Sequence, residues 1–257
     1  LSALGKWTEQ ARRLLDHVES TQFDALETAA RWSAEAIAAG GLVHLFGSGH
    51  SRIPVEEMFP RYGSFPGFHP MVELSMTFHT EVVGTNGQPQ AMFIERVGGL
   101  AEVILSGFDF GPDDVMMVFS ASGRAAVPVE MALGSQKRGL KVIGVTSVAE
   151  SKASPSTHDS GRRLFEIADL VIDIGTPVGD ALVRLDGLAS PVGPGSTLAN
   201  ATVVNEIKVR TAELLVEAGA MPPVLTSASL VGDEESQRSF ETAYAEHARR
   251  LAGVLHR

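Results

Sequence analysis

Ser120-Ala121-Ser122-Gly123-Arg124 follows the apolar run Asp114-Val115-Met116-Met117-Val118-Phe119 and precedes Ala126-Val127-Pro128-Val129-Glu130-Met131-Ala132. The first run has the length of a buried strand, and the last reads as the start of a helix. A strand, a tight Ser/Gly turn and a helix N-terminus together form an anion site. Unpaired backbone N–H groups leave the helix end, and the helix dipole favours negative charge. Two hydroxyls at alternate positions can donate to phosphate oxygens, and Arg124 adds a planar fork of donors. Gly123 permits the positive φ that such a turn often needs.

The same grammar occurs once more. Gly41-Leu42-Val43-His44-Leu45-Phe46 is a buried-strand run that leads into Gly47-Ser48-Gly49-His50-Ser51 and then Ile53-Pro54-Val55-Glu56-Glu57-Met58. In an open parallel sheet such turns lie at the carboxyl ends of strands and can converge on one crevice. Two Ser-bearing turns fit a phosphorylated ligand better than one. Gly47, Ser48, Gly49, His50 and Ser51 from the first turn, with Ser120, Ser122, Gly123 and Arg124 from the second, are the candidate binding residues.

Working outward, Leu4, Trp7, Ala11, Leu14, Leu15 and Val18 recur at helical spacing, as do Phe23, Leu26, Ala30 and Ile37. Two helices are expected over residues 2–39, hinged near Ser20-Thr21 and packing on the core or on a second subunit. A helix over 53–62 ends near Pro60 and Gly63, and Met71–Leu74 is a candidate second strand. Residues 76–90, with Thr77, His79, Thr80 and Glu81, form a polar excursion near a site. Residues 91–105 have helical spacing, weakened by Gly98-Gly99. Helices are further expected over 126–138, over 196–219 with Ser196 or Thr197 as N-cap, and over 234–251. Lys141–Ser147 and Ala168–Ile174 are strands, and 175–195 is loop with at most one short strand. Strands alternating with helices imply an α/β fold with a doubly wound parallel sheet. The expected division is residues 1–39 as added helices and residues 40–257 as the α/β domain with a C-terminal helical extension.

Composition narrows the function. The 257 residues are 44% hydrophobic, with 26 Gly and 13 Pro, as in an ordinary globular enzyme. No cysteine is present, so disulfides and thiolate metal sites are excluded. A formal charge of −10 argues against nucleic acid, which requires a basic footprint. No apolar run approaches the roughly 18 residues of a membrane span. The first residues lack a signal-peptide core, so a cytoplasmic protein without a membrane partner is expected.

The two turns, with Val142-Ile143-Gly144-Val145-Thr146-Ser147 and the Ala168–Ile174 strand, resemble the sugar isomerase (SIS) domain family of phosphosugar-binding proteins. The resemblance covers roughly residues 35–218. It implies a five-stranded parallel sheet flanked by helices, a sugar phosphate as ligand, no cofactor, and a homodimer or homotetramer. Glu57-Met58-Phe59-Pro60-Arg61-Tyr62-Gly63 is similar to a segment of the N-acetylmuramic acid 6-phosphate etherases, and Ser122-Gly123-Arg124 to their turn. That likeness implies Glu57 as a catalytic acid and Glu95, on a looser match, as its counterpart. The sequence departs from the family at Ala125, where Thr or Asn is common. The late helix carries Asn205, Glu206, Lys208 and Arg210 but no His, which weakens a simple aldose–ketose isomerase.

Other chemistries fit less well. Arg52 breaks a Gly-x-Gly-x-x-Gly dinucleotide turn. His44, His50, His69 and His79 lack the i,i+4 pairing of metal ligands, so no metal is expected. A Gly-x-Ser-x-Gly elbow is missing. The main rival is a non-catalytic phosphosugar sensor, which needs the turns but no positioned carboxylate. Glu57 lies six residues after Ser51 and is expected to reach the same crevice. Partial burial beneath Phe59 and Tyr62 is expected to raise its pKa. An isomerase or lyase working by carboxylate acid/base proton transfer is therefore the expected activity.

Overall fold

The computed structural model describes residues 2–77 and 87–255. The expectations for His79, Thr80, Glu81 and the turn at 84–86 lie outside these residues. In chain order the elements are α1 (Lys6–Thr21), α2 (Phe23–Ala38), β1 (Val43–Gly47), a 3-10 turn (Gly49–Arg52), α3 (Ile53–Met58), β2 (Phe68–Met71), α4 (Leu74–Thr77), α5 (Gly87–Ile94) and α6 (Leu100–Leu105). There follow β3 (Val115–Phe119), α7 (Ala126–Lys137), β4 (Lys141–Thr146), α8 (Val148–Lys152), α9 (Leu164–Ile167) and β5 (Leu170–Asp173). The chain closes with β6 (Ala181–Val183), β7 (Val192–Pro194), α10 (Ser196–Glu217), α11 (Ala228–Val231) and α12 (Asp233–Leu251). Among the described residues no helix is long and apolar enough to cross a membrane.

Five strands form one parallel sheet in the order β2-β1-β3-β4-β5. The chain moves outward from β1 to β2 and then returns to the other side of β1, so the topological switch lies between β1 and β3. Pleating sends alternate side chains to opposite faces. Val43, Leu45, Val115, Met117, Phe119, Ile143 and Val145 belong to one core, shared with α1, α2, α3 and α10. Phe46, Met116, Val118 and Val142 belong to the other, shared with α6, α7 and α9. Both faces are covered, which explains strands read as continuous apolar runs.

Several boundaries differ from the sequence reading. The second strand ends at Met71, and Leu74 already begins α4. The helix after the first turn stops at Met58, ahead of Pro60. Residues 91–105 split into α5 and α6, broken at Gly99, whose φ is 85°. Residues 175–195 hold an antiparallel β6–β7 ribbon. Neither Ser196 nor Thr197 is the N-cap of α10, which is Gly195. Asp180, from the loop before the ribbon, accepts from the Ser196 N–H (2.8 Å) and the Ser196 hydroxyl (2.6 Å). A carboxylate distant in sequence thus satisfies that helix end.

Candidate functional site

The register pairs Gly47 with Phe119, so both Ser-bearing turns leave neighbouring strands at the same level, beside the switch point. A Cβ on Gly47 would lie 2.1 Å from the Ser51 carbonyl oxygen, so only glycine lets the first turn fold back so tightly. Gly123 has a φ of +58°, and a Cβ there would meet Thr146 Oγ1 at 2.8 Å. Its N–H donates to Ser120 Oγ (3.1 Å), while its carbonyl accepts from the Leu164 N–H (2.7 Å). The second turn is therefore clamped from inside. Ser122 is half-buried, and its hydroxyl has no partner among the described residues. The same holds for the half-buried Arg124 guanidinium. The N-terminus of α7 carries no side-chain cap.

Glu95 joins the two turns. Its carboxylate accepts from the Ser48 hydroxyl at 2.6 Å, and its backbone carbonyl accepts from the Val127 N–H of α7 at 3.0 Å. Ser48, Gly49, His50, Gln88 and Glu95 line a cavity of about 170 Å³. Ser48 already has an acceptor, whereas the half-buried Ser51 hydroxyl, like that of Ser122, has no partner among the described residues.

Glu57 faces a different neighbour. Its Oε1 accepts from Asn205 Nδ2 of α10 at 3.0 Å, and its Oε2 accepts from Arg61. The buried Lys208 donates to the Glu57 carbonyl oxygen at 2.7 Å and to Asn205 Oδ1 at 3.2 Å. Glu57 does not line the Ser48–Glu95 cavity. Burial pushes its carboxyl upward, but the bonds from Asn205 and Arg61, with the charges of Arg61 and Lys208, outweigh burial and hold it below the usual range. This reverses the expectation of a raised value, because the sequence did not show which donors surround the carboxylate. Glu56, its neighbour, is exposed and bonded to Arg52 (2.8 Å).

Sequence reasoning named Asn205 and Lys208 but gave them no role. Their signal was the spacing of three, which puts both on one face of α10 beside buried Val204 and Ile207. A larger cleft, about 610 Å³, lies between α1 and the ribbon, lined in part by Arg13, His17 and Arg184. It contains neither turn nor either candidate carboxylate, so size does not identify the site. Among the described residues no group of His, Asp and Glu could hold a metal ion.

A family model described as "SIS domain" matches residues 6–147. A UPF0309 protein of Geobacillus kaustophilus is 34% identical over 243 residues, covering 95% of this chain and 94% of that protein. A UPF0309 protein of Streptomyces coelicolor is 33% identical, covering 94% and 95% respectively. Among solved structures, a phosphoheptose isomerase from Neisseria gonorrhoeae aligns with 13% identity and a TM-score of 0.47, over 80% of this chain and 94% of that one. The last likeness is remote.

Proposed function

The chain belongs to the SIS-domain family, and on that premise we propose that it binds a sugar phosphate and acts on it as an isomerase or lyase. The observation that carries this reading is Glu95, which bonds one anion turn through its side chain and the helix of the other through its backbone. In this reading the phosphate sits on the second turn. Ser122 and Arg124 supply donors with no competing partner among the described residues, and the α7 N-terminus adds its dipole. The sugar then extends toward Ser48, His50 and Glu95. Glu57, on α3 outside the Ser48–Glu95 cavity, is the acid/base group of this reading.

The test is calorimetry with hexose and amino-sugar 6-phosphates. Ser120→Ala combined with Ser122→Ala is expected to lose about 1–3 kcal/mol of affinity, the cost of missing donors at a buried anion. Unchanged affinity in a folded double variant would move the phosphate elsewhere.

The reading extends to a cytoplasmic homodimer. Phe23 of α2 and Val209 and Val216 of α10 are exposed apolar side chains at 70%, 68% and 64%. Burying them on a second copy would gain about 25 cal/mol per Å². Sedimentation is expected to give twice the 27.2 kDa chain mass. A single chain at micromolar concentration would count against the dimer.

A further inference from the structure

Lys208 is a lysine with 5% exposure, placed between α3 and α10, and the reading above gives it no task. We propose that Asn205 and Lys208 are positioning residues that hold the Glu57 carboxylate in one orientation and in its ionised form. The proposal rests on Glu57 being the acid/base group of the site.

The four groups close a ring. Lys208 Nζ donates to the Glu57 carbonyl oxygen (2.7 Å) and to Asn205 Oδ1 (3.2 Å), and Asn205 Nδ2 donates to Glu57 Oε1 (3.0 Å). An asparagine amide can sit either way round, and its neighbours decide which. Here the ammonium can only donate and therefore claims the amide oxygen. That leaves the amide NH₂ to face Glu57, with its second hydrogen on the Ala201 carbonyl (2.9 Å). Without the ammonium the amide oxygen loses its donor, and only the Glu57 carboxylate and the Ala201 carbonyl remain to hold the amide this way round. Lys208 thus acts on Glu57 twice: directly on the backbone at the end of α3, and through Asn205 on the side chain.

The charged groups acting on Glu57 are Arg61, beyond the end of α3, and Lys208 on α10. From the 3-10 turn, Arg52 is bonded to Glu56 instead. β1 and β2, which also pack on α3, offer His44 and His69, and those two rings bond each other. All the polarity on the carboxylate therefore favours its ionised form. A glutamate at its ordinary value of 4.5 is protonated in only about one molecule in 300 at pH 7, and a lowered value makes that fraction smaller. An acid role would carry that penalty on every turnover, and a base role would not. Each carboxylate oxygen keeps a further lone pair for a substrate proton. The ring therefore suits proton removal beside a carbonyl more than protonation of a departing oxygen.

The test is a ¹³C NMR titration of the Glu57 carboxyl, assigned by its loss in Glu57→Gln, for the wild type, Asn205→Ala and Lys208→Met. The wild-type midpoint is expected below 4.5, with both variants raised by at least about half a pH unit. On a turned-over sugar phosphate, both are expected to lower kcat about 10²-fold with little change in KM, as misplacement of a reacting group does. The acidic limb of the kcat/KM profile should rise with the carboxyl midpoint, and Lys208→Arg should restore part of the rate. A wild-type midpoint near 6 or higher, or the same midpoint in wild type and both folded variants, would overturn the proposal. If Lys208→Met fails to fold, Asn205→Ala still decides, because it leaves the Lys208 bond to the Glu57 carbonyl in place. If no sugar phosphate binds, the functional reading falls, while the titration still reports on the ring.

Discussion

The two ends of the central strands treat polar residues in opposite ways. At the carboxyl ends of β1 and β3, Ser122 and Arg124 are half-buried and have no partner among the described residues. At the amino ends, His44, His69 and Asp114 are buried and bonded to one another. His44 Nδ1 lies 2.8 Å from His69 Nδ1, and His44 Nε2 lies 3.0 Å from Asp114 Oδ2. Asp114 also accepts from the N–H groups of Leu42 (2.7 Å) and Gly111 (2.7 Å). Phe110 stands edge-on to His44, and Phe108 to His69. A closed network of this kind holds strands in register, whereas donors left open toward a crevice can take a ligand. Titratable residues alone do not mark a site; what matters is whether their bonds are already used.

Asp114→Ala breaks the closed end and should have the largest effect on folding. It leaves the Leu42 N–H, the Gly111 N–H and the His44 ring without their acceptor. A loss of about 3–5 kcal/mol is expected, as for removing one partner of a buried charged network. Urea unfolding measures it, and sugar-phosphate affinity in the surviving folded fraction should be unchanged. A cost below 1 kcal/mol would mean that the network adds little.

A graded effect follows from pH. Burial, reinforced by the His44 and His247 rings, lowers His69 from 6.5 to about 3, against the opposing pull of Asp114. The unfolded chain therefore takes up this proton below pH 6.5, and the folded one does not until about pH 3. Stability is whole above 6.5 and declines as pH falls through that window. This one group contributes up to about 1.4 kcal/mol per pH unit. Comparing urea midpoints of wild type and His69→Gln between pH 4 and 7 isolates the slope. Parallel curves would show that His69 titrates alike in both states.

The smallest effect sharpens the open end. Ser122 has no partner to lose among the described residues, so Ser122→Ala should change stability by less than about 0.5 kcal/mol. Its share of the double-variant affinity loss should remain. Equal losses of stability and affinity would place Ser122 in the fold rather than the site.

Much of this was legible in the sequence because the information was local. Val43–Phe46 and Val115–Phe119 read as strands since both faces of the sheet are covered and, His44 apart, every side chain along them is apolar. Gly47 and Gly123 marked turns that only glycine can make. Glu56 and Glu57 were separable as helix neighbours about 100° apart, although not by partner. The 175–195 ribbon escaped because β6 and β7 have only three residues each, too few for a period to show.

The sequence alone determined that two strand–turn–helix units recur in an acidic, cysteine-free α/β chain, because those signals depend on neighbours within a few residues. Only the tertiary structure decided which bonds are spent. It brought Asn205 and Lys208 across 148 and 151 residues onto Glu57, and Glu95 across 47 residues onto Ser48. Whether a carboxylate is raised or lowered depends on burial against hydrogen bonds and charge at a few ångströms. Those distances arise when α10 packs on α3 and α5 comes up to the first turn, contacts that residue order does not specify.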